Sequence, residues 1–319
     1  MMRRAFLALA CAVVLWPVGS AAQQIKYPHA NVTLVTSAGP GGGGDVFLRE
    51  LIKHLGPVMG VNFAVENVTG GSSARAVAHV AKAPADGTMF YATSPLHIQT
   101  TFIAKLAPGY TDLDPLAILF LDPQVIYTRA DAPWKTLTEA VAHAKANPGA
   151  AKWGVGAAAS LERVAMVRLA RLADVKARIV VHDAGGDTII NVLNGTLDTG
   201  AGEIQEVRTQ LEAKKVRLLA VLSDKRLPDY PDLPTAKEEG FNLVTRQFRG
   251  LAGPKGVPDA VAAAWHAGLK QALESPAYKA QYAKFSLAPI LLGREDARKF
   301  TAEFANEIEA SLKEFGIIK

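Results

Sequence analysis

The sequence has one cysteine, Cys11, set inside its first apolar stretch rather than at the end of one. That position does not suit lipidation, and a lone thiol excludes disulfides and multi-cysteine metal sites. No Gly-x-Ser-x-Gly elbow and no His-Glu-x-x-His pair occurs, so the compact signatures of serine and zinc hydrolases are missing. The chain lacks the Gly-Lys-Ser/Thr ending of a phosphate loop. After the first residues, no apolar run approaches the roughly 20 residues of a membrane span. The net charge is only +5, with Lys and Arg scattered rather than striped, so nucleic acid is not an expected partner. Fixed-period repeats and low-complexity tracts are absent too.

What is present begins with a leader. Arg3 and Arg4 precede a short apolar core, and Ser20-Ala21-Ala22 offers small residues for cleavage. Residues 1–22 therefore read as an export signal, which implies a periplasmic protein. The remainder holds no cysteine, which excludes thiol catalysis, and is long enough for two α/β domains with their own cores.

The most informative stretch follows. An apolar, β-branched run, Val32-Thr33-Leu34-Val35-Thr36, leads into Ser37-Ala38-Gly39-Pro40-Gly41-Gly42-Gly43-Gly44-Asp45, and apolar residues then recur at helical spacing over 46–55. A strand, a glycine loop and a helix start in that order make an anion pocket. Glycine lets backbone approach a ligand, and the helix start offers unpaired N–H groups at its positive end. Asp45 suits a helix cap better than a ligand contact, since a free carboxylate would repel an anion.

Strand-like and helical runs alternate from there, which predicts an α/β fold with mostly parallel sheets flanked by helices. Thr136 and Glu139 form a capping box for a helix ending near Asn147. Phe300, Phe304, Ile308 and Leu312 make one buried stripe on a last helix from Arg294 to Glu314. Breaks near 129–133 and 246–256 predict two crossings between lobes. Lobe 1 is then 23–128 with 248–319, lobe 2 is 129–247, and a ligand cleft lies between them.

Ser94 and His97 follow the strand predicted at 88–92, where open α/β sheets bind ligands. His97 has no partner at metal spacing, so no metal or cofactor is expected. Gly185, Gly186 and Glu203 follow strand-like runs and are candidates to line the cleft from lobe 2, with Asp187 as a helix cap. Arg246 and Arg249 sit at the second crossing, placed for either a ligand carboxylate or a hinge ion pair.

Nearly the whole chain after the leader resembles the solute receptors of tripartite tricarboxylate transporters, the Bug-type proteins. The resemblance rests on Tyr27-Pro28, on Pro40-Gly41-Gly42-Gly43 with Asp45, and on Glu66-Asn67 before Gly70-Gly71. It continues through Pro84, Asp86 and Gly87, then Leu193, Gly195 and Asp198, then Arg226 and Pro231-Asp232-Leu233-Pro234-Thr235. The resemblance implies a two-lobed receptor of the type II periplasmic-binding-protein kind, closing on a small carboxylate. One gripping loop would be Ser37, Ala38, Gly39, Pro40, Gly41, Gly42 and Asp45. The other would be residues 156–160, including Ala158, Ala159 and Ser160, with Arg163 just beyond. Implied partners are a di- or tricarboxylate or aromatic acid and a permease of one large and one small membrane subunit, with a sensor protein as the alternative partner.

Three departures stand out. Ala38 replaces a usual phenylalanine and should widen the pocket. Ala157-Ala158-Ala159 replaces a glycine-rich second loop. His182-Asp183-Ala184 replaces a tyrosine-lysine-glycine turn. Ser160 reads equally as helix cap and ligand contact. Arg163 reads as a bidentate carboxylate donor or a surface residue. A non-enzymatic receptor is the leading reading. An exported hydrolase of small esters or amides, with a nucleophile assembled from distant residues, is the alternative, and a nucleotide-binding protein is a third.

Overall fold

The computed structural model describes residues 25–105, 107–182, 185–314 and 316–319. The leader and the Asp183-Ala184 part of the third departure lie outside them. The chain starts with β1 (Asn31–Thr36), α1 (Gly43–Met59), β2 (Asn62–Asn67), α2 (Ala74–Ala81), β3 (Met89–Thr93), α3 (Pro95–Ala104) and β4 (Leu113–Leu121). It continues with β5 (Gln124–Arg129), α4 (Leu137–Ala146), β6 (Lys152–Val155), α5 (Leu161–Leu172), β7 (Arg178–Val181), α6 (Gly185–Leu193), β8 (Thr199–Glu203), α7 (Ile204–Glu212) and β9 (Val216–Val221). It returns through β10 (Phe248–Pro254), α8 (Asp259–Glu274), α9 (Pro276–Lys284), β11 (Ala288–Leu292) and α10 (Arg294–Glu314).

Two sheets result, ordered β11-β4-β10-β3-β1-β2 and β7-β6-β8-β5-β9. Both are mixed, where the sequence predicts mostly parallel ones. β1 pairs in parallel with β2 and β3, and β6 with β7 and β8, because helical crossovers join those strands. The strands next to the crossings, β4, β5, β9 and β10, make antiparallel pairs. The first crossing comes earlier than the sequence suggests. β5 is bonded to β8 and β9, so residues 124–128 belong to the second sheet, and the chain passes over at Asp122 and Pro123. The return falls between Val221 and Phe248.

Each lobe has its own core. In the first, Phe47, Leu48, Leu51, Leu55 and Met59 put one face of α1 against Phe90, Phe120 and Trp265. A fully buried side chain of this size contributes about 1.5–3 kcal/mol. In the second, Trp153, Met166 and Leu169 pack with Leu219 and Leu222. The α10 stripe lies on Phe248, with Phe304, Ile308 and Leu312 buried and Phe300 partly so. The same cluster takes in Leu161 and Val164 of α5, which packs against α3 of the first lobe.

Candidate functional site

Helices that follow the carboxyl ends of strands from both sheets begin around one cavity of about 110 Å³. Gly42, Gly43 and Gly44 bring the start of α1 to it, and Ser94 and Leu96 the start of α3. Ser160, Leu161 and Glu162 bring α5, Gly185 brings α6, and Glu203 with Glu206 bring α7. The cavity thus meets the positive ends of five helix dipoles, an environment that favours negative charge.

Of the residues singled out from sequence, Ser37, Ala38, Gly42, Ser94, Ser160, Gly185, Glu203 and Arg249 line this cavity. Gly39, Pro40, Gly41, Asp45, His97, Ala158, Ala159, Arg163 and Gly186 are not in its wall. Pro40 and Gly41 are exposed at the loop tip. Asp45 lies in the first turn of α1, behind the N-cap Gly42, rather than at the cap itself. It accepts from the Gly41 N–H at 2.9 Å and from Asn67 at 2.9 Å, and pairs with Arg49 at 2.9 Å. Burial raises its pKa, but these donors outweigh burial and hold it below the usual carboxylate range. Asp45 therefore shapes the loop.

His97 is buried, its Nδ1 bonded to the Ser94 carbonyl at 2.6 Å. Burial pushes it down to about 4, so it is neutral. Ser160 caps α5, accepting from the Arg163 N–H at 3.2 Å, and Arg163 donates back to the Ala158 carbonyl at 2.7 Å. Both residues thus hold the second loop's shape. Gly185 and Gly186 belong to the first turn of α6 rather than to a loop, so Asp187 is inside the helix and not its cap.

Several loop amides are already engaged. Ala38 N–H donates to Thr36 Oγ1 at 3.1 Å and Gly42 N–H to the Gly39 carbonyl at 3.0 Å. Gly43 N–H donates to Glu206 Oε1 at 2.9 Å, across the cleft from the other lobe. A side chain there would crowd the other groups of the cleft: a Cβ on Gly43 would lie 2.5 Å from Arg249 Nη2 and 3.1 Å from Glu203 Oε2.

Sequence reasoning named Arg249 and Glu203 separately but missed the buried group they form with Asp122, Glu162 and Glu206 behind these amides. Arg249, buried at 5% exposure, donates from Nε to Asp122 Oδ2 at 2.7 Å. Its Nη2 lies 3.2 Å from Glu203 Oε1, at ion-pair distance without the alignment of a hydrogen bond. Gln247 Nε2 donates to Glu203 Oε1 at 2.6 Å, Gln205 Nε2 to Asp122 Oδ2 at 2.7 Å, and Gln124 Nε2 to Glu162 Oε1 at 2.5 Å. Arg249 is thus the hinge ion pair of the two possibilities, and Arg246 pairs with Glu307 at the surface.

Burial pushes Glu162 up to about 8, with Glu203 adding repulsion, and Asp122 up to about 7 against the pull of Arg249. Burial and the neighbouring Glu203 also raise Glu206 well above its usual range. For Glu203, burial is outweighed by Arg249, so its pKa is lowered. Among the three glutamates Glu203 is thus favoured as the anion, while Glu162 and Glu206 are shifted toward their protonated forms. The only local signal for these acids was their place at helix starts, which reads as ordinary capping. Among the described residues no group of three or more side chains is arranged to hold a metal ion, and no helix is long and apolar enough to cross a membrane.

Two lobes joined by two crossings, with helix starts from both around one cavity, define a solute receptor of the type II periplasmic-binding-protein fold. Structures of the same fold include the periplasmic binding protein BugD (TM-score 0.84, 22% identity, covering 92% of this chain and 100% of that one). An R. palustris protein solved with adipate superposes with a TM-score of 0.86 at 22% identity, over 91% of this chain and 98% of that one. MatC from Rhodopseudomonas palustris, solved with malate, gives 0.77 at 22%, over 92% and 100%. The sequence profile of the tripartite tricarboxylate transporter family receptor matches residues 47–317, and the chain belongs to that family. Its relatives include a UPF0065 protein from the gbd 5′ region of Cupriavidus necator, 27% identical over 100% of this chain and 99% of that one. BugT of Bordetella pertussis is 23% identical over 91% and 90%.

Proposed function

We propose that the protein captures a small organic carboxylate between its lobes, in the periplasm, and delivers it to a membrane permease of a large and a small subunit. A sensor protein is the alternative recipient of the closed form. The role is binding without chemistry. The observation that carries the reading is the convergence of helix starts from both lobes on one cavity. Structural relatives solved with adipate and malate support a solute of this size and class.

In energetic terms, a carboxylate held by charge-assisted hydrogen bonds gains about 1.5–3 kcal/mol from each. Four such bonds at the top of that range, less an association cost of roughly 4 kcal/mol, correspond to about micromolar affinity. The Gly43 amide is exchangeable between Glu206 and a solute carboxylate, so binding re-forms the contact between lobes that Glu206 makes in its absence. Calorimetry against acetate, succinate, malate, adipate, citrate and benzoate tests the reading. Saturable binding of at least one acid, lost on adding a side chain at Gly43, is expected; no heat from any of them would count against it.

A further inference from the structure

Resting on that carboxylate-receptor reading, we propose that Glu206 is a built-in latch: it holds the amide that the solute carboxylate needs, draws the lobes together ahead of the solute, and sets an affinity weaker than the cleft would otherwise reach. The bond runs from Gly43 N–H, at the start of α1 in the first lobe, to Glu206 Oε1 on α7 in the second, at 2.9 Å. A main-chain N–H has one proton to give, so a solute oxygen at Gly43 must displace Glu206. The exchange trades one hydrogen bond for another, and the displaced carboxyl group has to be satisfied again in a buried place.

The seat is shaped for this group. A Cβ on Gly185, at the start of α6, would lie 2.6 Å from both Glu206 carboxyl oxygens, and one on Gly202, in β8, would lie 2.8 Å from Oε2. The side chains missing at these two positions leave the room that the carboxyl group fills. Its charge suits the role as well. Burial, then repulsion from Glu203, favours a proton on Glu206, and the hydrogen bond between the two acids raises Glu206 and lowers Glu203. That is the pattern of a Glu206 O–H donating to the Glu203 carboxylate while the Glu206 carbonyl oxygen accepts from Gly43. An uncharged latch fills the α1 start without placing a second anion there. Other polar ties between the lobes lie nearer the crossings or are longer. Gln247 and Arg249 meet Glu203 where β8 pairs with Gln124, next to the first crossing. At the rim, Ser286 Oγ is 3.4 Å from Asp229 Oδ2, and the Arg208 guanidinium lies 5.4 Å from the centre of the Phe285 ring.

The test measures the distance between the lobes and the affinity in the same variants. Lys53→Cys and Lys214→Cys put one exposed spin-label site on each lobe of the exported form, which has no cysteine of its own. Without added solute, Glu206→Ala should move the label distances to longer and broader values than in the wild type. Glu206→Gln, which accepts from Gly43 and donates to Glu203 as the neutral acid does, should restore them. In calorimetry with succinate, malate, adipate, citrate and benzoate, each acid that binds the wild type should bind Glu206→Ala about three- to tenfold more tightly, the change one net hydrogen bond makes. Glu206→Gln should bind as the wild type does. If Glu206→Ala does not fold, Gly185→Ala, whose methyl group crowds the Glu206 carboxyl out of its seat, should open the lobes in its place. Wild-type label distances in the variant that folds, or unchanged or weaker acid binding by Glu206→Ala, overturn the proposal and leave the carboxylate reading intact. No binding of any of these acids by the wild type overturns both.

Discussion

Arg249 shows how one side chain ties the lobes together. It stands on β10 of the first sheet and pairs with Asp122, at the first crossing, and Glu203, at the end of β8 in the second. Replacing it with methionine leaves two buried carboxylates unpaired, which should cost about 3–5 kcal/mol in urea unfolding. Arg246→Ala removes the exposed pair with Glu307 and the guanidinium lying over the Phe300 ring, and should cost about 1 kcal/mol. Glu162 gives a pH signature. Its folded pKa of about 8 lies above the usual 4.5 of a glutamate, because it is buried and faces Glu203. The native state therefore retains a proton that the unfolded chain releases. That stabilisation is complete below about 4.5 and is lost as pH rises through about 8. The urea midpoint of the wild type should fall relative to Glu162→Gln across that window, and parallel curves would contradict the assignment.

Among the elements, the pass from β1 into α1 was legible because three local signals agree: a β-branched run, a glycine loop and a helical stripe. The last helix was legible for the same reason, through its four-residue spacing. α3 was not. It starts at Pro95 directly after β3 and buries Ile98, Gln99 and Thr100, so it shows no clean polar face. Gly185 and Gly186 read as residues ahead of a helix capped by Asp187, yet they form its first turn. The Asp122, Glu203 and Arg249 group joins positions far apart in the chain, and no local pattern could announce it. At this scale, Ser160→Ala removes the α5 cap and should cost about 0.5–2 kcal/mol of stability, with weaker solute binding. Gly250→Ala is more severe in the sheet. Its Cβ would lie 2.4 Å from the Ala117 carbonyl on β4, and about 1–3 kcal/mol of destabilisation is expected by thermal unfolding.

For the whole molecule, the sequence foretold two lobes and two crossings, but it set the first crossing at 129–133. The charged and proline-bearing break there looks like a boundary, while Asp122 and Pro123 form a shorter one. The error moves only β5, yet it hides that β4 and β5 form a continuous path from one sheet to the other. The proposed capture between lobes calls for hinge closure. Two crossings, the Gly43–Glu206 contact and the packing of α5 against α3 are the links that such motion must bend, exchange or keep. The most direct measurement is a crystal structure of the protein grown with its tightest-binding solute. The account expects the solute between the lobes, with a carboxylate oxygen within hydrogen-bond distance of main-chain N–H groups in 37–44 or 156–162. A solute bound elsewhere, or one in the cleft with its carboxylate turned away from both segments, would contradict it.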